Sequence, residues 1–135
     1  LSSGGKVRLN FNHPVKELVW HLDSADATVW GDWAELTGNV KLQLNGHDRF
    51  AERPVEYFQR VQTYQHHTNI PEKNIYVYSF ALRPEEHQPS GTCNFSRIDN
   101  ATLNFSAGSG TLRVFAHSYN VLRVMSGMGG LAYSN

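Results

Sequence analysis

The dominant hydrophobic period along the chain is two. Val7, Leu9 and Phe11 alternate with Arg8 and Asn10; Leu18, Trp20 and Leu22 with Val19 and His21; Val40, Leu42 and Leu44 with Lys41 and Gln43; Ala101, Leu103 and Phe105 with Thr102 and Asn104. Successive side chains on a strand point to opposite faces, so each run predicts a short strand with one face on a core. Residues 75–82 are apolar on both faces and predict a central strand covered on both sides. Residues 111–125 predict a strand pair, or one strand bent at Asn120. Pro14, Thr37-Gly38-Asn39 and Asn45-Gly46 punctuate the runs, and Ala107-Gly108-Ser109-Gly110 predicts a tight hairpin turn. One segment changes period. Pro54 suits the first position of a helix, and Tyr57, Phe58, Val61 and Tyr64 then recur at three- and four-residue spacing. Residues 54 to about 65 are therefore expected as a short amphipathic helix over one end of the sheets. The class implied is all-β: an antiparallel jelly-roll β-sandwich with one short helix.

Composition narrows the function. The 135 residues make one domain, 1–135, and carry 12 Lys+Arg against 12 Asp+Glu. That zero balance argues against a nucleic-acid binder, which needs a positive excess to hold phosphate. Cys93 is the single cysteine, so no intrachain disulfide framework exists. No apolar run is long enough to span a membrane. The N-terminal Leu1-Ser2-Ser3-Gly4-Gly5 has neither an initiator Met nor the apolar stretch of a signal peptide, so the chain is expected to be processed or part of something longer.

Chemistry-bearing residues are present without a convincing pattern. Seven histidines (His13, His21, His47, His66, His67, His87 and His117) include no His-x-His, the spacing that sets two ligands on one face of a strand. Adjacent His66 and His67 would point to opposite faces. They read as scattered loop and surface residues, with no metal or other cofactor. Glu85, His87, Ser90 and Cys93 are close in sequence, yet a Pro-bracketed loop fixes no nucleophile–base geometry, so no catalytic set is expected. Asp23, Asp26, Asp32 and Glu35 lack the spacing of a calcium loop. Trp30 and Trp33 in the same loop, residues 24–35, suit either sugar stacking or a subunit contact. Three Asn-x-Ser/Thr sequons make Asn94, Asn100 and Asn104 candidate glycosylation acceptors; with no signal peptide they read as polar strand residues. Gly127-Met128-Gly129-Gly130 lacks the Lys-Ser/Thr of a phosphate loop and is expected to be a flexible crossing segment.

Longer stretches carry a family resemblance. They are Phe11-Asn12-His13-Pro14-Val15-Lys16-Glu17-Leu18-Val19-Trp20, Leu44-Asn45-Gly46-His47-Asp48-Arg49-Phe50, Tyr64-Gln65-His66-His67-Thr68, the run from Tyr78 through Arg83-Pro84-Glu85-Glu86-His87 to Asn94, Ser96-Arg97-Ile98-Asp99-Asn100-Ala101, and Asn120-Val121-Leu122-Arg123 onward to Asn135. They resemble the C-terminal part of the major capsid protein of nucleocytoplasmic large DNA viruses, closest to the algal-virus and giant-virus types. The resemblance implies a double jelly-roll subunit, of which this chain is an incomplete C-terminal part. It implies homotrimers that form pseudo-hexagonal capsomers, contacts with neighbouring capsomers and minor capsid proteins, and an icosahedral shell around an internal membrane. The implied place is the virion and the implied role structural, without catalysis. The alternative from another class is a free-standing jelly-roll glycan-binding module using Trp30 and Trp33.

Overall fold

The structure, a computed structural model, describes residues 5–23, 33–108 and 110–131. Twelve strands are present: β1 (Gly5–Leu9), β2 (Pro14–Asp23), β3 (Trp33–Ala34), β4 (Asn39–Leu44), β5 (His47–Asp48), β6 (Arg53–Pro54), β7 (Tyr76–Ser79), β8 (Cys93–Asn94), β9 (Ala101–Phe105), β10 (Leu112–Ser118), β11 (Leu122–Met125) and β12 (Met128–Leu131). All pairing is antiparallel. The first sheet runs β1-β9-β4-β5, with β6 also on β4; the second has β2 between β10 on one side and β3, β7 and β8 on the other.

The alternating runs set the register of the first sheet. Val7, Leu103 and Leu42 align across β1, β9 and β4, as do Gly5, Phe105 and Val40. A slip of one residue would turn every one of these side chains to water, so burial of one face selects this register. Opposite them, Leu18, Trp20 and Leu22 of β2 close the core with Leu36, Val55, Phe58, Tyr76 and Phe95. The predicted all-β sandwich is thus present.

Four expectations are corrected. First, residues 75–82 are not a central strand. β7 stops at Ser79, and among the described residues it pairs with β2 alone; β2 holds the middle of the sheet. The amides of Phe80 and Ala81 both turn onto the Lys16 carbonyl (2.8 and 3.2 Å), while the Ser79 hydroxyl donates to Ala81 O at 2.7 Å, which ends the strand. The helix covers the open edge of β7, where the Ser79 N–H donates to Gln62 Oε1 at 3.2 Å. Leu82 has left the sheet and is exposed.

Second, the helix begins after Pro54, which pairs with Asn39 as part of β6. Its first turn is π-helical over Tyr57–Val61, followed by α-helix over Gln62–His66. The i→i+5 spacing of a π turn rotates the following residues away from the register that a 3.6-residue repeat assumes. Val55, Phe58, Gln62 and Thr63 face inward, a face offset from the stripe Tyr57, Val61, Tyr64, and Val61 and Tyr64 are 41% and 78% exposed.

Third, Gly108 and Gly110 flank no hairpin. β9 pairs with β1 and β4, and β10 pairs with β2, so this segment crosses from one sheet to the other. Fourth, β11 pairs with β12 through the two-residue turn Ser126-Gly127 (φ 52° and 76°), so Met128–Leu131 is a strand and not a loose crossing. Positive φ at both turn positions is the geometry that matches strand twist. Asn120, read as a kink, does mark the break between β10 and β11, where its Oδ1 accepts from the Val121 N–H.

Candidate functional site

β2 carries the densest polar chemistry of the molecule. Between buried Val15 and Leu18 it places two charged residues, Lys16 and Glu17, only 5% and 6% exposed. A register shift opposite His117/Ser118 leaves Lys16 as the extra residue of a bulge. A bulge re-aims side chains that a regular strand would send to opposite faces. Lys16 Nζ donates to Glu86 O at 3.1 Å and reaches Pro84 O at 3.5 Å, and sits 4.4 Å from the Tyr119 ring centre. Two carbonyls and a ring face thus receive a buried ammonium that has no carboxylate partner among the described residues.

Glu17 is met from two sides. Its Oε2 lies 2.7 Å from His67 Nε2 and its Oε1 lies 3.3 Å from His117 Nδ1 on β10. The other ring nitrogen of His67, Nδ1, lies 3.0 Å from Glu85 Oε1. The Thr68 N–H and hydroxyl donate to that same Glu85 oxygen at 3.1 and 3.3 Å. The Thr68 amide first, and then His67, hold the Glu85 carboxyl below the usual carboxylate range. Beside the cluster lies a cavity of about 250 Å³ lined by Val19, Thr63, His67, Asn69, Pro71 and Glu85 among others.

The structure disperses the other candidate residues. Glu85 is engaged with His67 and Thr68, and the Ser90 hydroxyl accepts from Arg83 N at 2.8 Å. Cys93 sits in β8, where burial pushes its thiol up, away from the thiolate a nucleophile needs. His87 is exposed. Asp23 is held by Arg113 Nε at 2.9 Å; Asp26, Trp30 and Asp32 lie outside the described residues. Trp33 stacks one face on His21 at 4.4 Å, and Phe115 stacks on that imidazole at 5.9 Å. His21, read as a surface residue, is buried, and burial lowers its basicity despite Asp23 at 3.3 Å. No group of three or more His, Cys, Asp or Glu among the described residues is placed to hold a metal ion. Of the sequon residues, Asn94 and Asn100 are exposed; Asn104 is half-buried in the middle of the first sheet, its Oδ1 enclosed. No helix among the described residues is long and apolar enough to cross a membrane. Lys16 and Glu17 were not singled out from the sequence, although two adjacent charges inside an apolar strand are the signal that finds them.

The sequence matches the family model of the large eukaryotic DNA virus major capsid protein over residues 2–130. The chain belongs to this family. Among its relatives, the major capsid protein of Pyramimonas orientalis virus is 52% identical over 159 residues, covering 99% of this chain and 40% of that protein. The Chrysochromulina ericina virus major capsid protein is 61% identical over 120 residues, covering 83% of this chain and 20% of that protein. In structure, the PBCV-1 virus capsid superposes with a TM-score of 0.82 at 38% identity, covering 98% of this chain and 46% of that one. The Faustovirus major capsid protein, at 12% identity and a TM-score of 0.66, shares the fold. The capsid-family chain therefore spans less than half the length of these relatives. The family is one of virion capsid proteins, and its jelly-roll sandwich agrees with the all-β sheets found here. Two features of this chain stand out, the buried Glu17 cluster and the exposed β11–β12 hairpin. The hairpin is the larger apolar one: Leu122, Val124, Met125, Met128 and Leu131 are all more than 60% exposed.

Proposed function

We propose that this chain builds viral shell: it is the C-terminal jelly-roll part, residues 1–135, of a double jelly-roll major capsid subunit. Three such subunits form a pseudo-hexagonal capsomer that packs against neighbouring capsomers and minor capsid proteins. The role is structural and involves no catalysis. The observation that carries this reading, beyond family membership, is the β11–β12 hairpin. A lone two-stranded hairpin is marginal in water, and contiguous exposed apolar surface marks a contact with another protein surface. This hairpin presents Leu122, Val124, Met125, Met128 and Leu131 with no cover from the two sheets. A protein working alone would have polar residues there.

Sedimentation of residues 1–135 against the double variant Leu122→Asp/Val124→Asp tests the reading. The unmodified chain is expected to self-associate, and the variant to shift towards monomer with its circular dichroism unchanged. A wild-type chain that stays monomeric and is retained on an immobilised sugar would overturn the reading in favour of a glycan-binding module.

A further inference from the structure

We infer that Glu17, His67 and Glu85 form a proton-dependent latch that ties the loop of residues 82–90 to the central strand β2. Both ring nitrogens of His67 face a carboxylate oxygen, Nε2 on Glu17 at 2.7 Å and Nδ1 on Glu85 at 3.0 Å. A neutral imidazole has one N–H and one lone pair, and an ionised carboxylate has only acceptors. Two contacts of this kind therefore need two protons, whether both sit on the ring or one sits on a carboxyl. The same three groups held apart in neutral or mildly alkaline water carry only one. The closed latch holds one proton more than the open one.

Among the described residues no Lys or Arg pairs with Glu17. On its own strand, neighbouring Lys16 turns to the carbonyls of Pro84 and Glu86 and to the Tyr119 ring. Opposite it on β7 stands Ser79, and across on β10 stands His117, again an imidazole. At the helix end, His66 Nδ1 lies 3.1 Å from Leu82 O. On the loop, Arg83 pairs with Glu86 at 3.5 Å. A buried carboxylate that loses its charged partner is left costly, so Glu17 depends on the two imidazoles, with His67 on Oε2 and His117 on Oε1.

The latch has a mechanical consequence because its two ends lie on different elements. Glu17 belongs to β2, while Glu85 belongs to a loop otherwise tied back through the backbone of Leu82, Pro84 and Glu86. Deprotonating the cluster removes one of the two contacts of His67. The Glu85 contact is the exposed one and is expected to open first, freeing the loop where Glu85 borders the cavity. Acid does not open it at once, because the Thr68 amide holds Glu85 ionised to lower pH than a free side chain. The latch is closed while the cluster keeps its second proton and loosens as rising pH removes it.

The test is hydrogen exchange at the Thr68 and Glu86 amides of residues 1–135 from pH 5 to 9, with thermal melts alongside. Protection, corrected for the intrinsic base-catalysed rate, should fall by up to about tenfold per pH unit within the titration range, the linkage expected for one proton. His67→Gln should abolish that slope, and His87→Gln, at an exposed site, should leave it intact. Glu85→Gln, at a surface position that poses little risk to folding, should flatten the slope at Thr68 even if His67→Gln fails to fold. Equal slopes in wild type and Glu85→Gln would overturn the latch. So would a single ring N–H on His67 by nitrogen shifts at pH 5.5, together with carboxyl carbon shifts showing both Glu17 and Glu85 ionised, in the folded chain.

Discussion

Phe58→Ala is the sharpest test of the way the helix closes the sandwich. The Phe58 ring is fully buried and has four aromatic neighbours: Trp20 and Phe50 at 5.4 Å, Tyr57 at 5.1 Å edge-on and Tyr78 at 6.5 Å. Truncating a buried Phe loses its transfer free energy and leaves a cavity, together roughly 3–5 kcal/mol. Aromatic pairs add about 0.5–1.5 kcal/mol each beyond burial. They share one ring here and do not sum, so they place the expected loss in the upper half of that range. For a domain of this size such a loss lowers the melting temperature by roughly 10–20 °C. Urea unfolding followed by circular dichroism measures it, and tryptophan fluorescence gives a local reading because Trp20 lies against the lost ring. Tyr64→Ala is the control. Tyr64 belongs to the apolar stripe seen in the sequence but is 78% exposed, so its truncation should stay within about 0.5 kcal/mol. A Phe58→Ala loss below about 0.5 kcal/mol, or a Tyr64→Ala loss equal to it, would refute the inward placement of Phe58 and the outward placement of Tyr64.

Two further outcomes are expected. Gly91→Ala should destabilise the chain by about 1–3 kcal/mol in a thermal or urea melt, because Gly91 has φ +143° and an added Cβ would come 2.7 Å from the Phe80 carbonyl oxygen. Glu85 has a lowered pKa, so its stabilising contribution is present above the ordinary carboxylate range and is lost as pH falls through its lower folded value; an acid titration of Glu85→Gln should therefore show a shallower loss of stability below about pH 4.5 than wild type.

What could be read in advance follows the range of the interactions. The strands of the first sheet were legible because one buried face fixes both period and register, as Val7, Leu103 and Leu42 show. The turn at Asn45-Gly46 was legible because positive φ at both positions, 53° and 81°, needs those residue types. The run 75–82 misled because apolarity on both faces reports cover, and a helix against a strand edge gives cover as well as a second strand does. The helix face misled because the inward side includes polar Gln62 and Thr63, while apolar Val61 and Tyr64 lie outside it. The segment 107–110 misled because glycine turns serve equally for hairpins and for crossings between sheets.

The Glu17 cluster was illegible for a different reason. Its imidazole partners lie 50 and 100 residues away along the chain. No local pattern can announce that His67 at the end of a helix and His117 on the last strand of a sheet will meet one carboxylate. Yet the opposite end of the problem was in view. A strand that buries its apolar residues on both faces cannot also bury Lys16 and Glu17 without partners, since each ionised group left unpaired would cost several kcal/mol by order of magnitude. The adjacent charges therefore required a bulge to separate their directions, acceptors for the ammonium and donors for the carboxylate. The bulge at Lys16 meets the first need, the loop carbonyls and Tyr119 the second, and two imidazoles the third. The choice of imidazoles over arginine is what makes the third solution conditional. An arginine would hold Glu17 at every pH of interest, whereas His67 holds both carboxylates only while the cluster keeps its extra proton.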